Sequence, residues 1–289
     1  YRDPFMSNAI FSVPNPSNEE VRAYLPHSEE TKKLILAYRK MYAEQVDIPL
    51  YIANKEIRTQ NTQSIHPPHD YHHCLGKYHL AGEEEVDLAI KAVLKARQKW
   101  IDFSWQERAA IFLKAAQLIS GPFRDQINAA TMLCQSKNVY QAEIDAACET
   151  IDFFRYNAYF MSQIYKNQPK STTNEWNMME YRPLEGFVYA VTPFNFTAIA
   201  ANLVAAPLMM GNVVVWKPAD NQIYSAHILM KVFKEAGVPD GVISLICGDP
   251  KMITQMVLRN KAFSGLHFTG SSQVFQSIWK SIGQNIEEY

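Results

Sequence analysis

The chain has 289 residues, 47% of them hydrophobic and 12% aromatic, enough apolar side chain to bury a core as one large or two smaller domains. Its 28 Lys+Arg against 29 Asp+Glu leave a formal net charge of -1, and neither sign gathers into a long block, which argues against nucleic acid and an anionic membrane surface as partners. No apolar run approaches the roughly 20 residues of a spanning helix, and Cys74, Cys134, Cys148 and Cys247 lack the spacing of a zinc ribbon or the density of a disulfide framework. A soluble protein of a reducing compartment is expected, with bacterial cytoplasm and mitochondrial matrix both suiting the composition.

Over the first eighty residues, Pro14, Pro16, Pro26, Pro49, Pro67 and Pro68 break the chain into short segments. They predict an N-terminal arm over 1–82 with one helix near Glu29 to Ala43 and short strands after it. Within it, His66, His69, His72, His73 and Cys74 have metal-ligand chemistry, but two prolines and uneven spacing suit a solvated turn, so no metal is expected. From Glu83 the apolar residues Val86, Ala89, Ile90, Val93 and Leu94 recur at helical spacing behind an acidic first turn. That run opens the second expected unit, 83–289, and helices dominate it to about Tyr165. The clearest, Gln141 to Tyr165, carries Ile144, Ala147, Ile151, Phe154, Ala158 and Met161 on one face. Trp176 to Tyr181 reads as an exposed strand, with 171–182 a candidate for joining subunits.

From Gly186 onward, Phe187 to Val191, Asn212 to Trp216, Val242 to Ile246 and Gly265 to Phe268 alternate with amphipathic helices. Such alternation, with strands apolar on both faces, predicts an α/β fold in which a Rossmann-like parallel sheet is covered by helices on both faces. Ligands of such sheets bind at the carboxyl ends of the strands. Lys217 there is either a cation for a nucleotide or a solvated lysine, and Asp220 either accepts from an adenosine ribose and repels a 2'-phosphate or caps the next helix. Asn195 either points an N–H at a developing oxyanion or forms a turn. Gly270 and Ser271 open a helix whose free N–H groups suit a pyrophosphate, although no G-x-G-x-x-G occurs in the chain.

Thr192-Pro193-Phe194-Asn195-Phe196, Val215-Trp216-Lys217-Pro218-Ala219 and Phe268-Thr269-Gly270-Ser271, in that order and spacing, resemble the strand-end motifs of the aldehyde dehydrogenase superfamily. Gln141-Ala142-Glu143-Ile144-Asp145-Ala146-Ala147 and Ile151-Asp152-Phe153-Phe154-Arg155-Tyr156-Asn157-Ala158 resemble its 1-pyrroline-5-carboxylate dehydrogenase branch, and the likeness runs from about Ser12 to the last residue. The resemblance implies an NAD-dependent oxidoreductase that converts L-glutamate 5-semialdehyde to L-glutamate in proline catabolism by a thiol mechanism. It implies Asn195 in the oxyanion hole and Thr192, Pro193 and Phe194 on the nicotinamide side. Lys217, Pro218, Ala219 and Asp220 would hold the adenosine ribose, Gly248 would lie on the adenosine-side loop, and Gly270, Ser271, Ser272, Gln273 and Val274 would face the pyrophosphate. Glu143 and Phe196 would border a small aldehyde. In the family the general-base glutamate and the nucleophilic cysteine follow the helix that begins at Ser271, and this chain stops at Tyr289. It is therefore expected to be a fragment without its catalytic domain, inactive alone, from a longer protein that forms at least a dimer. Another aldehyde substrate, or a non-catalytic nucleotide-binding module, are the competing readings.

Overall fold

The computed structural model describes residues 10–289, so the first nine positions of the expected arm lie outside the described residues. Helix α1 (Glu29–Ala43) starts where the Ser28 hydroxyl accepts from the Thr31 N–H at 3.3 Å. Five short strands follow: β1 (Val46–Ile48), β2 (Leu50–Ile52), β3 (Lys55–Ile57), β4 (Thr62–Ile65) and β5 (Gly76–His79). Then come α2 (Glu83–Ile101), α3 (Trp105–Ser120), α4 (Arg124–Gln135) and α5 (Val139–Ala142), the last running through a π-helical turn (Glu143–Cys148) into α6 (Glu149–Lys166). The alternating half comprises β6 (Phe187–Thr192), α7 (Thr197–Met209), β7 (Val214–Pro218), α8 (Ile223–Ala236), β8 (Ile243–Leu245), α9 (Pro250–Arg259), β9 (Phe263–Phe268) and α10 (Ser272–Gln284).

The main sheet has the order β3-β2-β8-β7-β6-β9, and its four strands from the alternating half are mutually parallel. Strands β6, β7 and β8 are buried almost throughout, as parallel strands covered on both faces must be. Helices α7 and α8 cover one face, with α3, α4 and α6 packed behind them, while α2 and α9 cover the other. Phe112, Phe154 and Phe233 meet edge-on or tilted between α3, α6 and α8, with ring centroids 5.7 to 6.1 Å apart. Arg108, buried, donates from Nε to the Met209 carbonyl at 2.8 Å, placing a cation at the carboxyl end of α7. Among the described residues no helix is long and apolar enough to cross a membrane.

Four features depart from the sequence reading. The expected arm is not set apart at residue 82, because β2 pairs antiparallel with β8 and β3 with β2, extending the main sheet. The expected strand over 176–181 forms no ladder among the described residues: the Met179 N–H goes to the Gln168 side chain and the Asn177 N–H to the Ser171 hydroxyl, so side chains take the donors that a partner strand would need. The expected long helix at Gln141 is interrupted by the π turn, which carries two carboxylates with different partners: Glu143 pairs with Arg124 and Asp145 with Lys137. Glu143 consequently does not border an open aldehyde pocket. It is fully buried and accepts from Arg124, from the Tyr24 hydroxyl at 2.8 Å, from the Asn128 amide at 2.7 Å and from the Arg22 peptide at 2.9 Å. Those bonds fasten residues 19–24 onto α4 and the π turn, and they satisfy both oxygens.

Burial alone would raise the Glu143 carboxyl, but the bonds from Arg124 and the Arg22 peptide outweigh it and hold the group below its ordinary value. Replacing Glu143 with Ala strands the Arg124 guanidinium in the interior and should cost about 3–5 kcal/mol in urea unfolding; a loss within about 0.5 kcal/mol, the range of ordinary surface substitutions, would contradict the buried pair. His227 on α8 yields a pH signature. Its Nδ1 lies 2.7 Å from the Tyr51 hydroxyl, and burial, assisted by Lys231 and Arg58, depresses its pKa from 6.5 to about 3. The unfolded chain takes up that proton near 6.5 while the folded one resists it to about 3, so stability is complete above pH 6.5 and drains as pH falls, by on the order of 4 kcal/mol in all. His227→Gln should flatten this part of the pH–stability curve, and parallel curves for the two proteins would refute the assignment.

Candidate functional site

The chain leaves β6, builds outward through β7 and β8, then crosses back to place β9 on the other side of β6. The strand order therefore reverses between β6 and β9, and the connections there diverge to opposite faces, opening a crevice at the carboxyl ends. Hydrogen bonds fix the rim around it. The Thr192 hydroxyl accepts from the Trp216 indole N–H at 2.9 Å and its carbonyl from the Ala219 N–H at 3.2 Å. The Thr269 N–H donates to the Val191 carbonyl at 3.2 Å, and the Ile246 N–H to that of Trp216 at 2.9 Å. From the N-terminal region, the Ala81 N–H donates to the Cys247 carbonyl at 2.7 Å. That crossing makes Gly248 obligatory: its φ is +150°, and a Cβ would meet the Ala81 carbonyl oxygen at 2.8 Å.

Strand β7 runs further than its apolar pattern suggested and takes in Lys217 and Pro218, leaving Lys217 only 7% exposed. A solvated surface lysine is thereby ruled out, and a buried cation at a strand end is placed to meet an anion or hydroxyl. Ala219 leads to an exposed Asp220 that caps no helix: the 3-10 turn at Asp220–Gln222 has Ala219 as its N-cap, and α8 has Gln222. Its carboxylate lies near the buried Tyr78 hydroxyl and Cys247. At β6, Pro193 is buried, Phe194 is 60% exposed and Asn195 is exposed, while α7 begins from Phe196 without a side-chain cap. Asn195 thus sits in a bend between β6 and α7, as the turn alternative expected, with its side chain exposed and engaged in no helix cap.

Helix α10 begins at the end of β9. The Ser271 hydroxyl accepts from the Val274 N–H at 3.3 Å, which leaves the first-turn N–H groups of Ser272 and Gln273 without an intrahelical acceptor and the positive helix end facing the rim. Between α9 and α10, Asp249, Thr254, Leu258, Val274, Ile278 and Ser281 contribute to a groove of about 650 Å³ that starts at this corner. Part apolar and part polar, it suits a flat heterocycle attached to phosphate. Cys247, two residues past β8, is fully buried, and burial pushes it up to about 12, the reverse of an activated nucleophile.

The carboxyl edge of the parallel strands thus carries Thr192, Pro193, Phe194, Asn195, Lys217, Pro218, Ala219, Asp220, Gly248, Gly270 and Ser271 to Val274, whereas Glu143 is buried in the π turn. That edge also brings in residues with no local signal. Lys137 pairs with the nearly buried Asp145 and sets its ammonium 4.0 Å from the centroid of the Phe196 ring. Asp145 is raised by burial, although Lys137 and the first peptide N–H groups of α7, at Ala198 and Thr197, favour its ionised form. The pair therefore braces the turn that carries Asn195 and Phe196. Tyr78 of β5 is the second such residue, its hydroxyl buried beside Asp220 and Cys247. Neither was legible because each depends on contacts between segments remote in sequence or on the π turn.

Comparison with known proteins agrees with this geometry. A family model described as "Aldehyde dehydrogenase family" matches residues 52–289. A Schizosaccharomyces pombe protein named probable delta-1-pyrroline-5-carboxylate dehydrogenase is 46% identical over 280 residues, which is 96% of this chain and 51% of that protein. The human mitochondrial delta-1-pyrroline-5-carboxylate dehydrogenase is 39% identical over 273 residues, 94% of this chain and 48% of the other. A crystal structure of the Mycobacterium tuberculosis delta-pyrroline-5-carboxylate dehydrogenase bound with NAD superposes with a TM-score of 0.96 at 43% identity, covering 98% of this chain and 53% of that one. The chain spans about half the length of the curated relatives it matches. The strand-end motifs and the match over most of the sequence lead to one assignment: the chain belongs to the aldehyde dehydrogenase family.

Proposed function

We propose that these residues form the cofactor-binding part of an NAD-dependent enzyme that oxidises L-glutamate 5-semialdehyde, the open form of 1-pyrroline-5-carboxylate, to L-glutamate in proline breakdown. The observation that carries the proposal is the meeting of an amide, a cation, a carboxylate and open helix N–H groups at the ends of neighbouring parallel strands. The names of the relatives support the choice of substrate, and the NAD bound to the similar Mycobacterium tuberculosis enzyme supports the choice of cofactor.

Bound NAD supplies the acceptor for the hydride that leaves the aldehyde carbon. The chain's own residues divide the remaining work. Lys217 and Asp220 take the adenosine ribose hydroxyls, with Pro218 and Ala219 shaping the approach; Gly270, Ser271, Ser272, Gln273 and Val274 present the pyrophosphate end of α10. The groove between α9 and α10, entered past Gly248, takes the adenine. Thr192, Pro193 and Phe194 exclude water on the nicotinamide side, Phe196 borders the aldehyde, and Asn195 donates an N–H to the oxyanion that develops as a thiol adds to the carbonyl. That thiol and its glutamate base are assigned to sequence outside these residues, since Cys134, Cys148 and Cys247 are buried with their thiols pushed up to about 12, and Cys74, half-buried, lies before β5 of the small sheet with its thiol donating to the Gly76 carbonyl at 3.4 Å. The four free cysteines support a reducing compartment. Trp176 and Met178, 93% and 84% exposed on a segment with no strand partner among the described residues, support a homo-oligomer joined through 171–182.

Calorimetric titration of this chain tests the cofactor reading. NAD should bind and NADP more weakly, because the Asp220 carboxylate opposes a second anion at the ribose; Lys217→Met should weaken NAD by roughly tenfold, the loss of one charge-assisted hydrogen bond. Equal affinity for both nucleotides would refute the role given to Asp220. Turnover is expected of the longer protein and not of this chain, and failure of the longer protein to oxidise L-glutamate 5-semialdehyde in a panel of aldehydes would remove the substrate assignment.

A further inference from the structure

Tyr78 has no place in the function derived so far. It belongs to β5, a strand of the small sheet ordered β1-β5-β4, yet its side chain reaches the corner where β7 and β8 of the main sheet end. Two distant contacts set that reach. Residue 78 is in parallel register with Ile48, and three residues on, the Ala81 N–H is bonded to the Cys247 carbonyl at 2.7 Å. The residue is 2% exposed, and its hydroxyl oxygen is buried without a hydrogen-bond partner among the described residues. A polar atom so placed in a native interior calls for an explanation, since nearly all such atoms are paired.

The groups around it narrow the explanation. Burial first, then the neighbouring Asp220 carboxylate and Cys247, push the phenol far above its ordinary range, so it remains a protonated donor at any physiological pH. The Cys247 thiol is itself held protonated and is a weak acceptor, and Lys217 is a donor. Asp220 is an acceptor-only carboxylate, exposed at the head of its 3-10 turn and engaged in no helix cap, so nothing on its own segment holds its rotamer.

We propose that the Tyr78 hydroxyl is the positioning group for Asp220: by donating to the carboxylate it orients the remaining lone pairs toward a ribose diol and sets the preference of the site for an unphosphorylated ribose. The inference rests on the reading of Asp220 as the adenosine-ribose acceptor. A carboxylate free to rotate can swing away from a 2'-phosphate and lose little. One pinned by a buried phenol cannot, so the like charges stay close and the diol finds its acceptor already oriented.

Tyr78→Phe removes one oxygen and keeps the ring, so thermal unfolding of the chain should be unchanged or slightly raised. In calorimetric titrations, the variant should bind NAD about fivefold more weakly, the worth of about one hydrogen bond, and NADP no more weakly than before, so that the ratio of the two affinities narrows. On an Asp220→Ala background the same change should have no further effect, because the two groups act as one unit. If Tyr78→Phe leaves the ratio unaltered, or weakens both nucleotides equally, while Asp220→Ala still abolishes the preference for NAD, then Tyr78 is a packing residue and Asp220 keeps its role. If Asp220→Ala retains the preference, the reading of Asp220 falls and the inference with it.

Discussion

The parallel ladder that holds β9, β6, β7 and β8 side by side is the constraint on which the rest depends. Parallel strands carry their carboxyl ends to one edge, and their peptide bonds keep those ends within a strand spacing of one another. Because β9 returns to the far side of β6, the loops leaving those two strands part company and cannot fill the space between them. Everything polar at the crevice is placed by this arrangement: the amide of Asn195 on one wall, the open end of α10 on the other, and Lys217 with Asp220 a strand further along. The bonds from Trp216 to the Thr192 hydroxyl and from Ala219 to its carbonyl turn a general property of parallel sheets into a defined rim.

Two buried ion pairs secure what the ladder does not reach. Arg124 with Glu143 clamps residues 19–24 across α4 and the π turn, and Lys137 with Asp145 supports the first turn of α7 from below the Phe196 ring. A buried pair adds little net stability, because both charges must leave water, but either partner alone would be strongly destabilising. Such pairs therefore specify an arrangement more than they strengthen it. Here they specify where the turn carrying Asn195 begins and where the N-terminal segment must lie. Both carboxylates come from the π turn, where their i,i+2 spacing sends them to different sides of the helix.

The N-terminal third is woven into the site and not appended to it. β2 and β3 lengthen the main sheet beyond β8, the peptide of Ala81 crosses close enough to Gly248 to exclude any side chain there, and the ring of Tyr78 fills the floor near Asp220. A nucleotide held at this edge would thus be sensitive to residues more than a hundred positions away in the chain. Helix α2 starts directly after the crossing, where the Gly82 N–H donates to the Glu85 carboxylate.

The alternating half was legible because its signals are local. Strands buried on both faces read as continuous apolar runs, and the residues at their carboxyl ends can be named from the chain alone, as Asn195, Lys217, Asp220 and Gly270 were. Strand limits were less exact: β7 continues through Lys217, since a sheet edge is set by its neighbours' hydrogen bonds and not by hydropathy. Glu143, Asp145 and Tyr78 were settled only in three dimensions. Which cation each buried carboxylate meets is decided by packing between elements, and no periodicity announces it. A strand at 176–181 would need a partner that the described residues do not provide, and a tyrosine in a small sheet becomes a neighbour of Asp220 only because the Ala81 to Cys247 bond draws two sheets together. Sequence by itself determined which side chains stand at the ends of the parallel strands; tertiary structure decided which groups surround them, because pairing of buried charges and close approach of distant backbone are properties of contacts and not of order along the chain.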